Sequence, residues 1–226
     1  MSTDEGADEQ VALDTIAAAA ESGMTVFDTA HAYGRGDSPL GQNERLLARA
    51  LRACGADTKV RIVTKGGMTR ARGGWVPDGR AKRIAGDCEA SLAALDGLPI
   101  DLYLIHAPDP RTPWRTSVRA LARLVDEGLV RRVGLSNVNR RQLDEALELA
   151  PISAVQVALS VVDDRALRGG VVERCSEAAQ GDLVPLITAL QRFAVEAARD
   201  EARMFCEDLV ADAVVPAEPR LIAYAA

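Results

Sequence analysis

Four side chains able to hold or move a proton occur in order along the first half of the chain, each at or just beyond the end of a short apolar run: Asp28, Tyr33, Lys65 and His106. A phenol, with an unperturbed pKa near 10, is a poor acid at neutral pH. A neighbouring ammonium stabilises the phenolate, and a carboxylate beside that ammonium keeps it charged and aimed. Lys65 would do the first for Tyr33 and Asp28 the second, while the imidazole of His106 would hydrogen-bond a substrate oxygen. Together they would make a tuned proton donor for a carbonyl oxygen. Each also has a plainer account, Asp28 as a helix cap, Lys65 as a solvated strand end and His106 as a turn residue before Ala107-Pro108. Their combination and order set them apart.

Elements that must position these groups alternate along the chain. Helical patterns at 11–22, 43–54, 84–95, 117–127, 141–149 and 171–179 interleave with short apolar strands at 25–27, 60–64, 102–105, 133–135, 154–159 and 183–187. This predicts βαβ units and a parallel sheet, with the chemistry collected at one rim. A dinucleotide-binding open sheet would carry GxGxxG after its first strand, which this chain lacks, so the expected fold is an α/β, TIM-type (β/α) barrel. A complete barrel has eight strands and about 250 residues, so this one is expected to be incomplete, with about six to seven parallel strands and helices outside. Residues 1–226 are read as a single domain, with 1–10 disordered or extended and 190–226 a divergent helical segment ending near a weak strand at Val214 and Val215. The deficits fall on one seam, which the C-terminal segment or a second subunit of a homodimer is expected to cover.

Composition narrows the function. With 226 residues, 48% hydrophobic content and 4% aromatics, the chain can bury a sizeable core and is a poor match to an aromatic-rich sandwich. Its 33 acidic against 27 basic residues, net charge −6, argue against a nucleic-acid partner. The stretch Arg70, Arg72, Arg80, Lys82, Arg83, broken by Gly73, Gly74 and Pro77, reads as a solvated mobile loop. Cys54, Cys88, Cys175 and Cys206 are too scattered for a metal or dithiol centre and read as reduced thiols. The acidic start does not resemble a secretory leader and no apolar run is long enough to span a bilayer, so a cytoplasmic protein with no membrane or metal partner is expected.

The motifs, in order, resemble the aldo/keto reductase superfamily. Gly23 to Gly34, GMTVFDTAHAYG, is similar to that family's second-strand motif, with Gly41, Glu44 and Leu47 following. Thr64-Lys65, DLYLIH ending at His106, VGLSN ending at Asn137 and Val155-Gln156 match the next four motifs, so the resemblance covers about residues 11 to 187. It implies that Asp28, Tyr33, Lys65 and His106 are the catalytic tetrad with Tyr33 as general acid, and that Ser136, Asn137 and Gln156 hold the carboxamide of a nicotinamide. It further implies a small-molecule carbonyl substrate and NADPH as cofactor.

The chain also departs from that pattern. The family opens with a hairpin and a Gly-rich first strand, whereas this chain begins almost at the first helix. Leu183 to Leu190, LVPLITAL, stands where the family has a ring that stacks on the nicotinamide and a Ser-Pro-Leu-Gly loop for the pyrophosphate. Arg220 beside Glu218 is a thin counterpart of the basic segment for the 2′-phosphate. Two enzyme readings result: an NADPH-dependent carbonyl reductase, or a cyclase, dehydratase, isomerase or lyase using the same tetrad without cofactor. An inactive remnant acting as a binding partner is the third. His31 either lines the pocket or faces solvent, and Trp75 and Trp114 are expected in rim loops.

Overall fold

The structure is a computed structural model that describes residues 8–34, 38–71, 74–159, 163–178 and 184–188. Six parallel strands form one sheet: β1 (Val26–Asp28), β2 (Arg61–Gly66), β5 (Leu102–Ile105), β6 (Val133–Ser136), β7 (Ile152–Ala158) and β8 (Val184–Thr188), neighbours in that order. Between β2 and β5 the chain inserts an antiparallel hairpin, β3 (Met68–Ala71) and β4 (Gly74–Pro77). Helices α1 (Glu9–Glu21), α2 (Gln42–Ala53), α3 (Ala81–Ala94), α4 (Trp114–Asp126), α5 (Arg140–Leu147), α6 (Arg165–Arg168) and α7 (Val171–Ala178) complete the described chain.

The strand period of two divides the sheet into two unlike faces. Phe27, Ile62, Tyr103, Ile105, Val133, Leu135, Val155 and Val157 belong to one large core shared with the helices. The alternate residues, Val26, Val63, Leu102, Leu104 and Ala154, form a small separate cluster on the other face. Helix α2 shows how the outer layer forms: Asn43, Glu44, Leu47, Ala48 and Leu51, all buried, recur at three- and four-residue spacing as one stripe, with Ala50 buried at its edge.

The second face is concave. Strands β1 and β7 are four places apart in the sheet, about 19 Å if it were flat, yet Gln156 Nε2 on β7 donates to Asp28 Oδ1 on β1 at 3.1 Å. The sheet therefore curls until its rim closes on itself, and the six strands form an incomplete barrel.

Three expectations need correction. Most of the arginine-containing stretch that the structure describes is not loop: Arg70 and Trp75 are cross-strand partners in the β3–β4 hairpin, and Lys82 and Arg83 lie in α3, with Arg80 at its N-cap. Glu9 and Gln10 are helical, since the Asp8 side chain accepts from Gln10 N at 2.9 Å and caps α1 there. Trp114 opens α4, its indole N–H donating to Gln142 O at 2.9 Å, instead of lying in a loop. The predicted 190–226 segment, with its helix, weak strand and seam contact, lies outside the described residues, as do Cys206 and Arg220. Among the described residues no helix is long and apolar enough to cross a membrane, and no group of three or more His, Cys, Asp and Glu could hold a metal ion.

Candidate active site

On the concave face each strand runs from an apolar residue to a polar one: Val26 to Asp28, Val63 to Lys65, Leu104 to His106 just past β5, Gly134 to Ser136, Ala154 to Gln156. Strand alternation alone therefore sets five of the predicted site residues on one surface at one rim. Gly134 is required here: a Cβ would overlap the Ala154 carbonyl and come 2.6 Å from Leu104 Cδ2.

Lys65 is fully buried, its ammonium 2.5 Å from Asp28 Oδ2 and donating to Thr29 O at 2.8 Å, with both side chains of the ion pair 1% exposed. The same ammonium lies 5.0 Å from the centroid of the Tyr33 ring. Tyr33 sits beyond β1 in a turn closed by its own N–H to Ala30 O at 3.0 Å. Its ring meets that of His106 edge to face, centroids 5.5 Å apart. The four predicted side chains are thus brought together around one partly open corner.

His106 is held neutral. Burial, with the Lys65 ammonium as a second cause, lowers its pKa to about 3. Its Nδ1 is buried and has no hydrogen-bond partner among the described residues. The backbone is fixed from both sides, His106 N donating to Gly66 O at 2.9 Å and Asn137 Nδ2 donating to His106 O at 2.9 Å. Asn137 adopts φ 57°, a conformation Asn tolerates better than most residues. It also donates to Ser136 Oγ at 3.2 Å. Ser136, Asn137 and Gln156 therefore stand next to the tetrad, a hydroxyl and two amides whose donors and acceptors suit a carboxamide.

Two features escaped sequence reasoning. Trp75, on β4, is 51% exposed, yet its ring lies 5.9 Å from Tyr33 and 5.9 Å from His106, centroid to centroid. The hairpin that carries it is fastened to the Tyr33 loop by Arg70, which donates to Gly34 O at 3.1 Å and to Ser38 O. The signal was the pair of extended stretches flanking Arg72-Gly73, a two-residue spacing that suits a hairpin. His31 neither lines the pocket nor faces solvent. It is 6% exposed and packs behind the sheet, Nδ1 3.2 Å from Glu44 Oε2 and Nε2 3.9 Å from Asp87 Oδ1. Burial pushes the Asp87 carboxyl up, against the opposing pull of Arg83, whose Nε lies 2.8 Å away.

An open recess of about 490 Å³ adjoins the site, lined by Pro108, Asp109, Thr112, Trp114, Asn137 and Gln142. It borders the tetrad through Ala107, which follows His106, and through Asn137, whose amide donates to His106 O. The loop forming its far wall is held by Asp109, which accepts from Gly79 N at 3.1 Å and Thr112 Oγ1 at 3.0 Å.

This arrangement has relatives. The family model for the aldo/keto reductase family matches residues 1–190. The chain is 33% identical over 151 residues to aldo-keto reductase YhdN of Bacillus subtilis (strain 168), covering 67% of this chain and 44% of that protein. It is 35% identical over 181 residues to probable aldo-keto reductase 1 of Glycine max, covering 78% and 49%. The chain spans about half the length of the curated relatives it matches. Among solved structures it superposes on the thermostable aldo-keto reductase Tm1743, bound to the inhibitor epalrestat, with a TM-score of 0.69, 26% identity and coverage of 91% of this chain and 70% of that one. The glycerol dehydrogenase AKR11B4 from Gluconobacter oxydans gives 0.67, 29% identity, and 81% and 54% coverage. With five successive motifs on one rim and a family match over most of its length, the chain belongs to the aldo/keto reductase family.

Proposed function

We propose that this chain reduces a small-molecule carbonyl, with NADPH as hydride source and Tyr33 as general acid. The observation that carries this reading is the buried Lys65 ammonium, locked by Asp28 and the Thr29 carbonyl beside the ring of Tyr33. A cation fixed there favours the phenolate left when Tyr33 gives up its proton. His106, neutral and pressed against Tyr33, is suited to hydrogen-bond the same carbonyl oxygen without competing for the proton.

The donor set of Ser136, Asn137 and Gln156 fits the amide end of a nicotinamide, and these residues would hold it over the concave face. When bound, a reduced nicotinamide supplies the hydride. The protein's own part is to orient the carbonyl against Tyr33 and His106, to protonate its oxygen, and to return the phenol to the acid form from solvent.

The test is Tyr33→Phe, which removes one hydroxyl. Circular dichroism should be unchanged and NADPH should still quench or shift protein fluorescence saturably, while turnover of an aldehyde falls about a hundredfold or more. Near-wild-type turnover would overturn the assignment of Tyr33, and conversion without NADPH would overturn reduction.

A further inference from the structure

Behind the catalytic rim lies a buried polar cluster that the proposed chemistry does not use. Its centre is His31, two residues before Tyr33. Its backbone joins two parts of the site: His31 N donates to Lys65 O at 3.0 Å, and Gly41 N donates to His31 O at 2.7 Å. Its imidazole points away from the concave face and enters the layer between α2 and α3, with Glu44 and Asp87 on its two nitrogens.

Those carboxylates are also tied to the strand that carries Lys65. Glu44, completely buried, accepts from Thr64 Oγ1 at 2.6 Å through Oε1, the oxygen not facing His31. Asp87 accepts from Gly67 N at 2.9 Å and pairs with Arg83. One imidazole thus spans two acids that hold the chain on either side of Lys65, Glu44 at Thr64 within β2 and Asp87 at Gly67 just past its end. The loop bearing Tyr33 is held to α2 as well, Thr29 Oγ1 donating to Asn43 Oδ1 at 2.8 Å.

We infer that His31 is a positioning residue: it sets the loop of Tyr33 against the strand of Lys65, so that the phenol meets its ammonium in the geometry proton transfer needs. A buried carboxylate has few ways to be satisfied, so a histidine wedged between two of them has little freedom to move. An error of about 1 Å in such a placement can cost about a hundredfold in rate. The inference rests on the proposed role of Tyr33.

The test is a double-mutant cycle on the whole chain, with wild type, His31→Asn, Tyr33→Phe and the pair assayed for NADPH-dependent aldehyde reduction. His31→Asn should lower kcat by about tenfold or more, while aldehyde KM and NADPH affinity stay within about twofold. In the Tyr33→Phe background the same change should cost less than about twofold, because residues that act as one unit are non-additive. An equal loss in both backgrounds, or an unchanged kcat, would mean that His31 only supports the fold. If His31→Asn does not fold, Glu44→Gln, which keeps the size and loses the charge, takes its place in the cycle under the same criteria. Tyr33→Phe near wild type would remove the parent reading instead, a result distinct from additivity.

Discussion

The neutral state of His106 has a measurable price at low pH. In the fold its pKa is about 3, whereas in the unfolded chain a histidine titrates near 6.5. Below about pH 6.5 the unfolded state takes up a proton that the folded state refuses, so stability is full above that pH and is lost as pH falls towards 3. The slope approaches about 1.4 kcal/mol per pH unit, and between pH 7 and about pH 4.5 the accumulated loss is about 2.5 kcal/mol. His106→Gln removes this titration and keeps a polar side chain of similar reach. Urea unfolding of both proteins across pH 4.5 to 7.5 isolates the contribution, since other titrating groups largely cancel in the difference. Wild type should lose about 2.5 kcal/mol more than the variant over that span. Parallel stability profiles would refute the burial argument and mean that His106 accepts a proton in the folded protein.

Further outcomes follow from the same packing. Asp28→Asn removes the carboxylate charge paired with the buried Lys65 ammonium and leaves neutral oxygen acceptors in its place. Unfolding by denaturant should show a loss of about 3–5 kcal/mol, the usual scale when one partner of a buried pair is removed. Gly66→Ala adds a methyl where the Tyr103 hydroxyl already sits, 2.9 Å from Asp87 Cβ, so melting should report a loss of about 1–3 kcal/mol, partly recovered by adding Tyr103→Phe. Trp75→Ala should leave stability within about 0.5 kcal/mol, because half the side chain is exposed. Steady-state kinetics should show its effect in KM for bulky carbonyl substrates more than for small ones.

Much of the site was readable because strand alternation and a polar residue at each strand end are local properties. Lys65, His106, Ser136 and Gln156 needed only a count of two from the apolar residue before them. Chain reversals were harder. His31 sits in a turn, where no period says which side a residue faces, and its burial depends on Glu44 and Asp87, 13 and 56 positions later. The β3–β4 hairpin was hidden because Gly and Pro, counted as breakers, occupy ends of a strand where they cost little. Tyr33 lies between the two cases: its motif was plain, but its contact with Trp75 needed the hairpin.

Sheet order also bears on how the chain assembles. Each main strand pairs with the one made just before it, with only the small hairpin intervening. Such neighbour-to-neighbour pairing keeps loop closures short and lets the sheet grow in the direction of synthesis. The groups that handle the proton reside in the first three of those strands and their flanking turns, and His106 precedes β6, β7 and β8 in the chain. The bond between Gln156 and Asp28 joins residues 128 positions apart, so in a chain emerging from the ribosome it is among the last of the rim contacts to form. The proton-handling half of the rim can thus be laid down first, with β7 arriving later to close it.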